Sequence, residues 1–430
     1  MLARRPVNNL LFSKTGFKKG TLLVLSGFLF VSFVSIPLYG FDWSLNGSYK
    51  TFLTGIYNPN YQERIYGIAN NTLRLNGDIY PSGWLSLSMS YILYPEIRDP
   101  ALDQGENSLF SRGAEYRIGD PERRILPRRD NEMENIGLYH EIDRAMATLN
   151  LPFADLYVGR QAVSWGSAHV INPTDILVPY RFLDLDTEYR KGVDAVRVRI
   201  PFQMNEIDVG FVAGEGFRFE RSALFGRTRL YFLETDFSIL GMLFKENLLL
   251  GLDLARAIGG AGAWAEAAYV IPGVVNNRDD PFEKDYLSIS LGMDYNFSGN
   301  FYGYVEYYFN SAGKNDPHEY IEILANPSAN PAYSEGNQYL LGKHYLFFGG
   351  RYTVTPLIPV SSLIMVNMSD LSVDLSLSVE YNIMENVYIT AGFYLGMGEG
   401  PELTSGVLTR YGSEFGAYPD ILYTAVKIYF

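Results

Sequence analysis

The sequence predicts an all-β fold: one transmembrane antiparallel β-barrel of about 18 strands, with 16 as the alternative count. Three observations predict it. The composition is amphipathic and rich in aromatics, stretches of period-2 alternation are broken by turns, and a charge-free apolar segment lies near the start of the chain.

Apolar residues make up 47% of the 430 residues and charged residues only 19%. Mean hydropathy is −0.04. A soluble enzyme of this size carries more charge, about 25%, and a helical membrane protein carries several long apolar runs. Strands that alternate lipid-facing and lumen-facing residues satisfy both numbers, and interfacial girdles account for 33 Tyr and 27 Phe. There is no cysteine, which removes disulfides, thiolate metal sites and cysteine nucleophiles together. Net charge is −13. Nucleic-acid binding needs a basic face and is not expected.

Residues 1–40 contain five basic residues and no acid, and 21–37 are uncharged and apolar. This reads as a secretory signal peptide, removed near Gly40 to leave a barrel domain of residues 41–430. Without the leader, 30 basic and 48 acidic residues remain, a net charge of −18.

The alternation is clearest at 286–297. Leu287, Ile289, Leu291, Met293, Tyr295 and Phe297 share one face, and Ser288, Ser290, Gly292, Asp294 and Asn296 the other. The turn Ser298-Gly299-Asn300 leads into the next strand. Residues 72–91 and 371–393 repeat the pattern. Short links fall near 80–83, 151–154, 202–205, 259–260, 298–300 and 384–386. Long ones fall near 58–67, 96–135, 165–190, 215–226, 272–284, 312–342 and 398–416. Short periplasmic turns and long extracellular loops are the arrangement of outer-membrane barrels. Regions 225–245 and 355–370 leave the strand count open. The last strand, ILYTAVKIYF, alternates to a terminal Phe430. It resembles the signal by which the outer-membrane barrel assembly machinery recognises its substrates, and its physical task is to close the sheet.

The most distinctive stretch is 155–175, with Gly159-Arg160-Gln161, Trp165-Gly166 and Asn172-Pro173-Thr174-Asp175. This block resembles one in bacterial outer-membrane barrels of the porin and alginate-export-like type. The resemblance covers most of 135–397 in style and implies a barrel that passes or exports a solute.

A fixed cation in a membrane strand faces the lumen or an acid. Arg160 is such a residue, with Asp143 and Arg144 as candidate neighbours. Val196, Val198 and Ile200 claim the lipid face of their strand, which turns Arg197 and Arg199 inward. The three arginines form a candidate basic ladder opposite Asp78, Asp253, Asp294, Glu306, Asp374 and Glu380, acting as a selectivity field or as wall bracing. The loop 166–190 carries apolar residues that need burial. Folded into the barrel as a constriction, it would line the eyelet with Asp175, Arg181, Asp184, Asp186 and Glu188. Packing on other loops is the alternative. The histidines His140, His169, His318 and His344 show no triad or dyad spacing. No catalytic, cofactor or metal site is expected, and Gly349-Gly350 reads as a barrel bend.

The expected function is a porin-like outer-membrane channel for small polar or amphiphilic solutes. A non-conducting adhesin or structural receptor acting through loops 96–135 and 312–342 is the alternative from another class, and a rim hydrolase the third. The expected partners are outer-membrane lipid, the assembly machinery and small solutes.

Overall fold

A computed structural model of the chain describes residues 42–58, 62–100, 115–121, 123–126, 135–180, 184–275, 284–327, 330–404 and 407–430. The expected signal peptide lies outside these residues.

Eighteen strands form the wall. They are β1 (Asp42–Asn58), β2 (Gln62–Ser82), β3 (Leu85–Arg98), β4 (Ile136–Asn150), β5 (Asp155–Gln161) and β6 (Val193–Phe202). Next come β7 (Asn205–Ala213), β8 (Ala223–Phe232), β9 (Thr235–Phe244), β10 (Asn247–Ile258), β11 (Ala261–Ile271) and β12 (Tyr286–Ser298). The last six are β13 (Phe301–Asn310), β14 (His344–Thr355), β15 (Ile358–Asn367), β16 (Ser372–Met384), β17 (Val387–Met397) and β18 (Asp420–Tyr429). Each pairs antiparallel with its neighbours in sequence.

Closure comes from β1 against β18, in register from Ser48↔Tyr429 to Tyr57↔Asp420. Phe430 continues this pairing through Gly47, with N–H···O distances of 2.7 and 3.0 Å. A closed sheet leaves no backbone edge to be desolvated in lipid, which is why only closed sheets or helices span a bilayer.

Alternation decides the faces. On β16, Val373, Leu375, Leu377 and Val379 point out, and Ser372, Asp374, Ser376, Ser378 and Glu380 point in. Large apolar side chains stand exposed on the outer face, among them Leu53, Ile239, Leu250 and Leu422. Trp84, Phe153, Phe202, Phe232 and Phe297 ring the short-turn rim, where amphipathic rings favour the interface.

One sequence expectation changes, and the open strand count is settled. Part of the long link at 58–67 is strand, because β1 and β2 pair as far as Tyr57↔Ile65, past the β2–β3 pairing that begins at Ile68. The two ambiguous regions each hold one hairpin, which gives 18 strands rather than 16. One was hidden because its turn, Leu233-Glu234, has φ of 51° and 58° without the Gly or Asn that signals such a turn.

The loop side of the lumen is packed. Trp165, Ile176 and Leu177 from the β5–β6 loop join Phe225, Leu240, Met242 and Leu249 of the wall in one apolar cluster. Residues 311–343 contribute two short helices, Tyr320–Ala325 and Pro331–Ser334, and a second cluster around Leu340.

Candidate functional site

The described residues of the loop between β5 and β6, 162–180 and 184–192, lie against the inner wall. Its outbound leg is held by wall carboxylates. Trp165 Nε1 donates to Asp208 on β7 at 3.3 Å, and Ser167 Oγ donates to Asp253 on β10. Glu266 on β11 accepts from the backbone N–H of Ser167 (3.1 Å), Ala168 (3.3 Å) and Thr174 (2.8 Å), and from Thr174 Oγ1 (2.7 Å). Glu306 on β13 accepts from His169 N (2.7 Å), Ile171 N (3.0 Å) and Val170 N (3.2 Å). Gly166 makes the approach feasible. Its φ is +106°, and a Cβ there would stand 2.6 Å from Glu266 Oε2.

The return leg reverses the polarity, so that loop acids meet wall cations. Lys50 on β1, itself buried, lies 2.8 Å from Asp186 and 2.7 Å from Glu188. Tyr429 of β18 donates to Glu188 at 2.6 Å. Tyr189 stacks beneath Arg74 of β2, 4.2 Å from ring centroid to guanidinium. Burial opposes the charge on Glu188, but the hydrogen bonds from Lys50 and Tyr429 outweigh it and hold the carboxyl below its ordinary range. Within the loop, Arg190 pairs with Asp175 and stacks on Tyr180. Burial outweighs that pairing and pushes Asp175 up to about 7.

Between this loop and the β14–β18 wall remains a cavity of about 550 Å³. The loop side supplies Pro179, Tyr180 and Asp184, and residues 336–339 of the β13–β14 loop close another edge. The wall side supplies Arg351, Ser378, Glu380, Thr390, Tyr394 and Lys427. Lys427 pairs with Glu380 at 3.0 Å, whereas Arg351 has no ion-pair partner among the described residues. Tyr304 borders the cavity with its ring flat over Gly349, where a Cβ would overlap it at 1.9 Å. Gly349 therefore gives the Tyr304 ring clearance.

Of the constriction candidates, Asp184 borders the cavity, Asp175 is buried against Arg190, and Asp186 and Glu188 are held by Lys50. Arg181 lies outside the described residues. The wall acids all sit on inward positions. Asp78 accepts from Ser88 (2.6 Å), and Asp294 accepts from Tyr302 (3.0 Å). Asp253 and Glu306 hold the loop, Glu380 borders the cavity, and Asp374 is buried.

The three arginines have local partners. Arg197 donates to Asp208 (2.7 Å), Arg199 pairs with Glu206, and Arg160 donates to Asp194 (2.7 Å) and pairs with Asp120. Arg160 is the penultimate residue of β5, not a mid-strand residue, and follows a positive-φ Gly159. It bonds Asp194, its direct cross-strand partner on β6, and the Ile142 carbonyl, while Arg144 pairs with Asp143. Asp143 and Arg144 lie beside Arg160, around Gly192, without being its ion-pair partners.

Sequence reasoning missed Lys50, Arg74, Glu266 and Arg351. Lys427 stood on the inward face of the last strand, which was signal enough. Arg351 follows two glycines that blur the alternation. His169 stacks on Trp264, 4.1 Å between ring centroids, while Ser167 and Asp175 bond elsewhere, so the three do not assemble into a hydrolase site.

A closed antiparallel barrel of 18 strands with a loop folded into its lumen is the fold of porin-type outer-membrane channels. The chain is similar in structure to Pseudomonas aeruginosa OpdK, solved with vanillate, at TM-score 0.54 and 10% identity over 90% of this chain and 98% of that one. It is similarly close to a BenF-like porin from Pseudomonas fluorescens (TM-score 0.54, 11% identity, 90% and 98% covered). Acinetobacter baumannii OccAB2 aligns at TM-score 0.53 and 9% identity, again over 90% and 98%. No protein-family model and no curated protein sequence matches the chain.

Proposed function

We propose that this protein is a channel of a bacterial outer membrane, exported by its N-terminal signal and passing small polar solutes through the cavity between the 162–192 loop and the β14–β18 wall. The observation that carries this reading is the arc of wall from β14 to β18 that lines the cavity. The loop occupies Asp208, Asp253, Glu266, Glu306 and Lys50 of the wall, whereas along β14–β18 hydroxyls, Arg351 and the Glu380–Lys427 pair border the cavity. Fixed charges and hydroxyls at a narrow, water-filled passage select by size and charge. A cavity of about 550 Å³ suits a solute of one or two rings. OpdK was solved with vanillate, and Arg351, which has no ion-pair partner among the described residues, beside the lining tyrosines Tyr180, Tyr304, Tyr339, Tyr394 and Tyr423 supports a solute of that general kind here.

Within this reading, Arg160, Arg197 and Arg199 brace the wall through their acidic partners, and selectivity rests on Arg351, Glu380 and Lys427. The C-terminal strand ending in Phe430 is the segment offered to the assembly machinery. The adhesin reading loses support from residues 336–339, which turn the β13–β14 loop toward the cavity.

Single-channel conductance in a planar bilayer tests the proposal. Discrete current steps from protein that shows heat-modifiable gel mobility are expected. A folded barrel with no conductance would remove the channel reading.

A further inference from the structure

The Trp165-Gly166 and Asn172-Pro173-Thr174 residues that stand out in the sequence surround one wall side chain, Glu266. Trp165 fixes the entry of the loop on Asp208, Gly166 turns the backbone past the carboxylate, and Thr174 returns to it with two donors. A Cβ on Gly166 would also stand 2.3 Å from Asn172 Oδ1, so Asn172 packs into the same turn. Two strands away, Glu306 repeats the arrangement with three consecutive backbone N–H groups and the Trp264 ring N–H at 3.2 Å. Consecutive N–H groups converging on one anion form a concave binding site for it. Here the anion belongs to the barrel and the concave site to the loop.

Both carboxylates are almost fully buried, and neither has a cation within ion-pair distance among the described residues. Their charge is balanced by hydrogen-bond donors of the loop and one indole. The outbound leg has no helix or strand of its own, so these contacts determine where it lies. Between them, Ser290 on β12 donates to the Ile171 carbonyl at 2.6 Å and fixes the intervening turn.

We infer that Glu266 and Glu306 are the positioning residues of the constriction, and that the distinctive loop block is the receptor by which the loop grips them. Neither side chain borders the cavity. They act by holding residues 166–174 against the wall, which sets how much lumen remains beside β14–β18. The inference rests on the channel reading only for its effect on current. The placement of the loop is measurable without it.

A carboxamide in place of either carboxylate turns an –NH₂ group toward several N–H donors, leaving buried donors unsatisfied. The test uses the full-length channel, whose lack of cysteine allows one nitroxide label at Pro179→Cys on the loop. The expected result is an immobile label in the parent and a mobile one in the Glu266→Gln/Glu306→Gln double variant, with heat-modifiable mobility retained. In bilayers the double variant should switch between current levels on the order of tenfold more often, since hydrogen bonds to charged groups are the strong ones. If the double variant does not fold, Glu306→Gln alone keeps the four bonds to Glu266 and should show the same changes at smaller size. A label as immobile in the folded variants as in the parent overturns the inference. A parent without conductance removes the channel reading, and the label still decides the positioning role.

Discussion

Lys427 on β18 lies 3.0 Å from Glu380 on β16, across β17, and the pair forms part of the cavity wall beside the unpaired Arg351. A half-exposed pair of this kind contributes little to stability, about 0–1 kcal/mol, so its substitution perturbs the field rather than the fold. A unit charge about 4 Å away in water-like surroundings shifts an ion's energy by about 1 kcal/mol, roughly fivefold in relative permeability. Arg351→Met and Lys427→Met should each move the reversal potential toward cation preference, and Glu380→Gln should move it toward anions. Arg197→Met and Arg199→Met should move it less, because neither guanidinium borders the cavity. Bi-ionic reversal potentials measure all five. An equal shift from Arg197→Met and Arg351→Met would restore the basic ladder as the selectivity element.

Lys50 fastens the return leg by two loop acids, and its ammonium is buried while Asp186 and Glu188 keep some contact with solvent. Lys50→Met leaves two neighbouring carboxylates without their cation. Their partial exposure limits the cost to about 1–2 kcal/mol, and that cost falls on the loop. The barrel should melt as before in the heat-modifiable gel assay, while protease nicks residues 184–190 more readily. Unchanged protease resistance would show that Tyr429 and Arg74 alone hold this leg.

The wall was legible because its chemistry is local. Strands such as β12 and β16 carry strict alternation, which fixes both element and face. The turn at Leu233-Glu234 was not legible, because neighbouring strands impose its positive φ on residues that do not announce it. The inward direction of Arg197 and Arg199 could be read from Val196, Val198 and Ile200, which alternate with them, but not their partners. Arg160 was legible as a cation needing an acid, but not which acid, because Asp194 lies across the long β5–β6 loop and Asp120 before β4. The loop block was visible as a motif, and its meaning was not. Glu266 lies nearly a hundred residues downstream in an alanine-rich strand, and only barrel closure brings the two together.

Glu414, in the β17–β18 loop, gives a pH signature. It is fully buried among Tyr345, Asn367 and Tyr418, and burial, partly offset by their hydrogen bonds, pushes its carboxyl up to about 7. The folded state therefore holds this proton more tightly than the unfolded chain, whose carboxyl titrates near 4.5. Stability from this group is complete below that value and is lost as pH rises through about 7. Asp175 has the same sign. The unfolding temperature of the detergent-solubilised barrel should rise as pH falls from 8 to 5.5. Glu414→Gln, which mimics the protonated form, should flatten the part that Glu414 carries. An identical slope in the variant would assign the effect to other groups.

Gly166 is the position where backbone geometry and the constriction meet most directly. Its φ of +106° is costly for any residue with a Cβ, and the added methyl carbon would meet Asn172 Oδ1 at 2.3 Å and Glu266 Oε2 at 2.6 Å. Relieving both contacts requires the loop to leave the carboxylate, at a cost of about 1–3 kcal/mol for the strained backbone and more for the hydrogen bonds released. Gly166→Ala should therefore fold into a barrel of ordinary thermal stability whose 162–192 loop is misplaced. Its conductance should differ from that of the parent, with current noise like that of Glu266→Gln. Combined with Glu266→Gln it should add little further, because both changes release the same contact. Additive effects on noise would mean that Gly166 serves some need other than closeness to Glu266.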